Sequence, residues 1–115
     1  VAAAGNSGPT AATTYPAGND LTLAVTAVDQ TMTAPSFTQR GSYIDIAAPG
    51  IGICSTVRIG ARIDSTRSCV SSTEPYLTMN GTSMATAFIS GVAALTVGPR
   101  FPKGNKTLVS SVAGS

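Results

Sequence analysis

Histidine is absent from the 115 residues of this chain, and its absence limits any catalytic use of the serine hydroxyls. A serine hydroxyl needs a base to become a nucleophile at neutral pH, and histidine is the usual base. Charge is also scarce, because charged residues make up 10% of the chain and the net charge is +2. So weak and scattered a positive charge argues against a nucleic-acid partner.

Long apolar runs are missing as well. None reaches the roughly 18 residues that suggest a membrane span, since the run at residues 92–97 is soon broken by Gly98 and Pro99. No signal peptide opens the chain, because Val1 stands directly before an apolar alanine run. We therefore expect no membrane partner, and a mature fragment or a trimmed chain.

Cysteine is limited to two residues, Cys54 and Cys69, which bracket 14 residues. In a secreted chain they form one disulfide, and closing a loop of that size stabilises the fold by roughly 3 kcal/mol. The alternative is a pair of reduced, partly buried thiols. Low charge and abundant serine, threonine and glycine favour the secreted interpretation. The hydrophobic fraction of 43% indicates a folded chain of one domain or a piece of one.

Short β-rich stretches alternate with turn signals along the first half of the chain. A strand at residues 1–4 stops at a glycine-rich turn, and residues 21–28 are typical of a strand covered on both faces of a parallel sheet. We also predict a loop at residues 33–41, strands at residues 43–48 and 51–56, and a polar surface segment at residues 55–78.

Residues 82–97 contain no charge, and their apolar positions cover every face of a helix. This pattern predicts a helix that is central and buried rather than amphipathic, ended by the following Gly-Pro pair. A last short helix runs through Val112, capped by Asn105 or Thr107. Strands and helices together predict an α/β fold.

Ser83 lies where the long helix is predicted to begin. A serine at that point sits in the positive field of the helix terminus, so its own N–H can point at an anion that forms beside its hydroxyl. Gly81 lets the backbone turn tightly and leaves room for a substrate carbonyl. The plainer interpretation is an ordinary helix N-cap at Thr82 or Ser83.

The segment at residues 81–85 reads Gly-Thr-Ser-Met-Ala and resembles the nucleophile motif of the subtilisin family. Residues 90–95, Ser-Gly-Val-Ala-Ala-Leu, are also similar to that family. The resemblance implies that Ser83 is the nucleophile of a serine endopeptidase. The chain departs from the family at Ala87 and Phe88, where proline is usual and histidine often follows; alanine suits a helix, so the fold is kept.

Residues 3–8 read Ala-Ala-Gly-Asn-Ser-Gly, a predicted strand that runs into a glycine-rich turn. Asn6 can aim its side-chain amide N–H at a developing oxyanion, opposite the backbone donor of Ser83. The alternative is an asparagine that serves only the turn, since this residue tolerates left-handed backbone. Its position upstream of the nucleophile motif, in the order that the family uses, favours the oxyanion role.

Further segments resemble the family and come in the order that the family uses. Residues 15–17 resemble its Tyr-Pro turn, where the bond before proline is typically cis, and residues 23–29 resemble a core strand. Phe37 matches an aromatic residue of a family loop, and residues 46–50 resemble the Ala-Pro-Gly segment. The longest gap in the resemblance is at residues 57–73. The same resemblance implies that the substrate site includes four residues: Ala4, Gly5, Thr14 and Thr82. Thr14 falls near the closed end of the primary specificity pocket.

Subtilisins place their triad along the chain in the order Asp, His, Ser, so a piece that begins just before the oxyanion Asn contains only the Ser. Asp29, Asp45 and Asp64 match no triad motif. We therefore expect residues 1–115 to be the C-terminal fragment of a subtilisin-like peptidase domain, part of a doubly wound, mainly parallel sheet. The missing Asp and His are expected upstream or on another chain.

The resemblance implies a secreted or extracytoplasmic endopeptidase that cleaves polypeptides through an acyl-enzyme. It allows for calcium in the complete enzyme, and we assign no metal ligand or cofactor to this chain. The expected partner is the upstream protease segment or another copy of the chain, and the isolated chain is expected to be inactive. The alternative is a catalytically inactive fragment that acts as a structural or self-associating unit.

The chain contains two Asn-x-Thr sequons, at Asn80 and Asn105. Asn80 lies in the turn before the nucleophile, so a structural role is favoured over glycosylation. Asn105 is the better acceptor, although a helix cap explains it equally well.

Overall fold

The computed structural model describes residues 1–58, 68–70 and 74–98, so the predicted last helix and the sequon at Asn105 lie outside the described residues. The elements follow in chain order: β1 (Ala2–Ala3), β2 (Ala24–Val28), β3 (Ile46–Pro49), β4 (Ile53–Thr56), β5 (Tyr76–Met79) and α1 (Thr82–Val97). The predicted bounds of the long helix, residues 82–97, are confirmed.

The first three strands form a parallel sheet in the order β1-β2-β3. Ala2 pairs with Ala24 at one side of β2, and Val25 pairs with Ile46 at the other. The last two strands form a separate antiparallel pair, in which Cys54 lies opposite Thr78. Parallel strands with a helix packed on them confirm the predicted α/β class.

The core lies between β2 and the first half of α1. Val25, Ala27 and Ala48 of the sheet pack against Ala85 and Ile89 of the helix, with the ring of Phe37 beside them. Three of these five residues are alanines, so the helix approaches the sheet closely and no large side chain separates them. Because Ala85 is only two positions after Ser83, this packing also holds the start of α1 against the sheet.

The sequence predicts that α1 is buried on every side, but in this chain only one side of the helix is buried. Its buried residues are Thr82, Ala85 and Ile89, whereas Val92 is 57% exposed and Leu95 is 77% exposed. The face away from the sheet has the same apolar composition as the buried face, but no described element covers it. The helix is therefore one-sided in packing although it is not amphipathic in sequence.

The strands predicted at residues 1–4 and 51–56 are shorter in the structure, Ala2–Ala3 and Ile53–Thr56, and three further differences follow. β2 begins at Ala24, because a turn at Asn19 takes up the residues before it: the Asn19 side chain accepts the N–H of Leu21. β3 begins at Ile46, since the residues before it form a turn closed by the Ile44 N–H. The prediction of a polar surface segment at residues 55–78 is wrong for residues 76–78, which belong to β5.

The disulfide between Cys54 and Cys69 is present, with the two Cα atoms 5.9 Å apart. This separation lies inside the range of about 4.4–6.8 Å that a disulfide requires. It ties β4 to the polar segment that follows, as the sequence predicts. The Tyr15–Pro16 bond is cis, in agreement with the resemblance.

Candidate active site

Ser83 is the second residue of α1, and its side chain is exposed. Residues at the start of a helix have backbone N–H groups without a partner inside the helix. Among the described residues, the N–H of Ser83 and its hydroxyl have no hydrogen-bond partner. The nucleophile candidate thus presents a hydroxyl and a free N–H together, in the positive field of the helix N-terminus.

No side chain of α1 itself caps the N-terminus of the helix. Its N-cap residue is Gly81, which has no side chain, so an N-cap role for Thr82 or Ser83 is excluded. Asn6, in the turn after β1, caps the helix instead. Its Oδ1 accepts one hydrogen bond from the N–H of Thr82 and one from the hydroxyl of Thr82, each at 2.9 Å. An asparagine far away in the sequence therefore caps the helix that carries Ser83 near its start.

These two bonds fix which way the Asn6 amide faces. The Thr82 N–H only donates, so the Asn6 atom that it meets is the oxygen Oδ1. The amide nitrogen Nδ2 then points away from Thr82, and it has no hydrogen-bond partner among the described residues. Asn6 is exposed, so this nitrogen is a free donor next to the start of α1.

The turn before Ser83 is anchored to the strand ends by two more bonds. Gly81 donates its N–H to the carbonyl of Gly50 at 2.8 Å, and the Asn80 side chain accepts the N–H of Gly52 at 2.7 Å. Gly81 has φ of +155° and ψ of +162°, a conformation essentially restricted to glycine. The structural role predicted for Asn80 agrees with this contact.

The residues predicted to line the substrate site lie close together, around the backbone of Gly5. Ala4 is fully buried at the end of β1, and the N–H of Gly5 donates to the hydroxyl of Thr82 at 3.2 Å. Gly5 has φ of +113°, and a side chain there would collide with the hydroxyl of Thr14, 2.7 Å from an added Cβ. Ala4, Gly5, Thr14 and Thr82 are thus brought together around the Asn6 turn.

Two residues of this neighbourhood were not among the predicted site residues. Gln39 is buried under Gly5 and accepts the hydroxyl of Thr14 at 3.0 Å, while Tyr43 donates its hydroxyl to the carbonyl of Ala4 at 2.8 Å. The sequence places Gln39 in a loop, where a polar residue is ordinarily exposed. No local pattern distinguishes a buried loop glutamine from an exposed one.

Asp29 and Asp45 both accept hydrogen bonds that hold the backbone. Asp45 accepts the N–H of Ala24 at 2.7 Å and so holds the start of β2. Asp29 accepts the hydroxyl of Thr31 and the N–H groups of Thr31 and Thr33, and the hydroxyl bond in particular lowers the pKa of this carboxyl. Asp64 lies outside the described residues. In the part of the chain that the structure describes, no group of three acidic or cysteine residues could hold a metal.

A groove of about 560 Å³ lies between β4 and α1, with Ser83 on its wall. Its lining is almost entirely apolar and includes four side chains of α1: Met84, Phe88, Val92 and Leu95. Among the described residues, no helix is both long enough and apolar enough to cross a membrane. The groove therefore presents an apolar surface that runs up to the hydroxyl of Ser83.

Comparisons with known proteins show the family to which the chain is similar. The model of the Subtilase family matches residues 1–112. Thermitase of Thermoactinomyces vulgaris is 42% identical over 95 residues, which cover 83% of this chain and 29% of thermitase. M-protease of Shouchella clausii (strain KSM-K16) is 43% identical over 95 residues, which cover 83% of this chain and 21% of that protein. The chain thus spans less than a third of these relatives.

Two solved structures have the same arrangement of elements. The crystal structure of a cold adapted subtilisin-like serine proteinase is 34% identical, with a TM-score of 0.65 over 84% of this chain and 30% of that one. The prenylagaramide maturation protease PagA is 28% identical, with a TM-score of 0.68 over 97% of this chain and 36% of that one.

Proposed function

This chain belongs to the subtilase family, and from that membership we propose that it supplies the nucleophile and the oxyanion donors of a serine endopeptidase. The observation that supports the proposal most directly is the bridge from Asn6 to the start of α1. Thr82 uses both its N–H and its hydroxyl to hold the Asn6 amide oxygen. The two remaining donors, Asn6 Nδ2 and the Ser83 N–H, stay unpaired among the described residues.

In the proposed reaction, Ser83 Oγ attacks the carbonyl carbon of the scissile peptide bond and loses its proton to a histidine outside this chain. The carbonyl oxygen becomes an anion and accepts hydrogen bonds from Asn6 Nδ2 and the Ser83 N–H. The histidine then gives its proton to the leaving amine, and an acyl-enzyme remains on Ser83. Water attacks the acyl group and restores the hydroxyl.

The base has to arrive on another polypeptide segment, because this chain has no histidine. A second copy of the chain covers apolar surface but brings no base. We therefore assign the groove beside Ser83 to the segment that carries the triad Asp and His. An apolar surface next to the nucleophile also excludes water, which strengthens the electrostatic interactions of the site.

The substrate is a polypeptide held against the Asn6 turn. In this proposal Ala4, Gly5 and Asn6 form one wall of the primary specificity pocket, Thr14 lies near its closed end, and Thr82 lies beside the scissile bond. The disulfide supports a secreted or extracytoplasmic location, since such bonds persist in oxidising compartments.

A second candidate function is supported by the same exposed face. A chain with no histidine and with Leu95 77% exposed fits a structural or self-associating unit in which Ser83 and Asn6 are relics. In that case the groove is covered by another copy, and the hydroxyl of Ser83 never reacts. The two candidate functions differ in whether Ser83 acts as a nucleophile once a base is present.

Fluorophosphonate labelling followed by mass spectrometry separates them. The chain is combined with the polypeptide that carries the Asp and His, treated with the reagent and digested for peptide mapping. We expect one adduct on Ser83, none in the Ser83→Ala variant, and an unchanged yield in the Ser90→Ala variant of the same helix. Absence of the adduct from an assembled and folded complex contradicts the endopeptidase proposal and supports the structural unit.

A further inference from the structure

Gln39 uses all its polar groups although it lies in the loop between β2 and β3 and is only 2% exposed. Its Nε2 donates to the carbonyl of Ala12 at 2.6 Å and reaches the Tyr43 hydroxyl at 3.5 Å. Its Oε1 accepts the hydroxyl of Thr14 at 3.0 Å. Its backbone carbonyl accepts the Thr26 hydroxyl at 3.4 Å. A buried amide satisfied this fully is fixed in one orientation.

The Gln39 amide occupies the space that a side chain at Gly5 would need. A Cβ added to Gly5 would collide with the amide oxygen of Gln39 as well as with Thr14. The backbone N–H of Gln39 donates to the carbonyl of Gly5 at 3.1 Å. Gly5 is therefore held on one side by Thr82, through its N–H, and on the other side by Gln39, through its carbonyl.

The same loop also holds the far side of the Asn6 turn. Gly8 donates its N–H to the carbonyl of Phe37 at 2.8 Å. Asn6 thus lies between two backbone bonds, at Gly5 and at Gly8, that both come from residues 37–39. The Gln39 amide fixes this loop against Ala12 and Thr14 through its hydrogen bonds. The orientation of the amide therefore affects the position of the Asn6 backbone.

We propose that Gln39 is a positioning residue for peptide-bond cleavage, which keeps the Gly5–Asn6 peptide in place so that Asn6 Nδ2 stays aimed at the oxyanion. Gln39 does not touch the substrate, and its effect passes through Asn6. The proposal rests on the function proposed above. It predicts that the catalytic contribution of Gln39 exists only while Asn6 is present.

A double-mutant cycle in the active complex of this chain with the segment carrying the Asp and His tests the coupling. The variant Gln39→Met has nearly the same length and shape but cannot form hydrogen bonds. We expect it to lower kcat about tenfold, with KM within about twofold, since misplacement of a catalytic group by 1 Å costs up to about 100-fold. In the Asn6→Ala background the same substitution lowers kcat by less than about twofold.

Thr38→Val is the matched control, because Thr38 is the buried neighbour of Gln39 and its hydroxyl has no partner among the described residues. We expect it to leave kcat and KM unchanged. An equal loss of kcat from Gln39→Met in both backgrounds overturns the positioning role and leaves the proposed function intact. If Asn6→Ala itself leaves kcat unchanged, the oxyanion role and the positioning role are both overturned.

Amide hydrogen exchange on the chain gives a reading that does not need activity. The N–H of Thr82 is bonded to Asn6 Oδ1, so its protection reports where the Asn6 side chain lies. We expect Gln39→Met to lower the protection of the Thr82 amide about tenfold and to leave the Ala27 and Val28 amides of β2 unchanged. Unchanged protection at Thr82 in a folded variant contradicts the proposal.

Discussion

At the scale of single residues, two buried threonines near the site differ in how their hydroxyls are used. Thr82 is fully buried, and its hydroxyl accepts the N–H of Gly5 and donates to Asn6. Thr38 is also fully buried, but its hydroxyl has no partner among the described residues. A satisfied hydroxyl contributes to stability, whereas an unsatisfied one costs about 1–3 kcal/mol. The same substitution should therefore have opposite effects at the two positions.

We predict that Thr38→Val raises the free energy of unfolding by about 1 kcal/mol, because valine has a similar shape and no group to desolvate. Thr82→Val should lower it by about 1–3 kcal/mol, since Gly5 and Asn6 both lose a partner. Urea unfolding followed by tyrosine fluorescence measures both. A loss of stability in Thr38→Val as large as that in Thr82→Val would contradict the prediction.

Gly50 is a second residue whose environment decides the outcome of a substitution. A Cβ added there would lie 2.5 Å from the Ala27 Cβ and 2.7 Å from the carbonyl oxygen of Gly81. We predict that Gly50→Ala destabilises the chain by about 1–3 kcal/mol, because the added methyl group forces β2 apart from the turn at Gly81. Gly91→Ala is the control: an added Cβ meets nothing within 4 Å, so it should stabilise α1 by about 0.5–1 kcal/mol. Equal effects in urea unfolding would refute this account.

At the scale of elements, the turn after β2 depends on one carboxylate. Asp29 accepts three hydrogen bonds, from the Thr31 hydroxyl, the Thr31 N–H and the Thr33 N–H, at 2.7–2.9 Å. The hydroxyl bond first, and the backbone bonds with it, hold the pKa of Asp29 below its ordinary value of 3.8. A lowered pKa means that the ionised form favours the folded turn.

We predict that this turn is fully stable above pH 3.8 and opens as the pH falls below that value through the lowered pKa of Asp29. The sign follows because the unfolded turn binds the proton more readily than the folded turn. Chemical shifts of the Thr31 and Thr33 amides, followed by NMR from pH 6 downward, measure the midpoint. The Asp29→Ala variant is the control and should show no such transition. A midpoint above 3.8 would contradict the prediction.

The helix bounds and the centre of β2 could be predicted from the sequence, because glycine and proline mark the helix end and apolar residues fill the strand. β5 was missed since four residues, Tyr76–Met79, are too short to stand out in a polar segment. The identities of Ser83 and Asn6 followed from motifs, but their geometry depends on a contact between residues 76 positions apart. The proposed role of Gln39 depends on its neighbours in space, which no local pattern records.

At the scale of the whole molecule, the described residues leave one face of α1 and one edge of the parallel sheet uncovered. It spans 29% of thermitase, and the face of α1 away from the sheet has Phe88, Val92 and Leu95 exposed. β1 pairs on one side only within the described residues, so its other edge offers unpaired backbone groups. Both features predict association with another polypeptide.

We predict that the isolated chain has no turnover of a peptide ester above a very low residual. The reason is the missing base: in subtilisin itself, loss of the triad lowers kcat by about 2 × 10⁶-fold, a value that belongs to that enzyme and not to this chain. Hydrolysis by homogeneous chain, compared with the Ser83→Ala variant, measures the residual. Robust hydrolysis that disappears in Ser83→Ala would show that a base exists within the chain.

We also predict that the isolated chain forms dimers or larger species at micromolar concentration, because an exposed apolar face and an open strand edge favour association. Leu95→Lys should shift the distribution toward monomer, since it places a charge in the groove. Ser90→Lys adds the same charge to an exposed position of α1 outside the groove lining and should have a smaller effect. Light scattering measures all three, and a monodisperse unsubstituted monomer would contradict the prediction.

The hydrogen bond between Asn6 and Thr82 also determines when the site can form during synthesis of the chain. A ribosome adds roughly 5–20 residues per second, so Thr82, 76 positions later, is made about 4–15 s after Asn6. Until then the nascent chain has Asn6 but no helix for it to cap, and Ser83 has not yet been made. Under the proposed function, the oxyanion site forms only after the core strands have been synthesised. A protease built in this order cannot cut its own chain, or the nascent chains around it, during that interval.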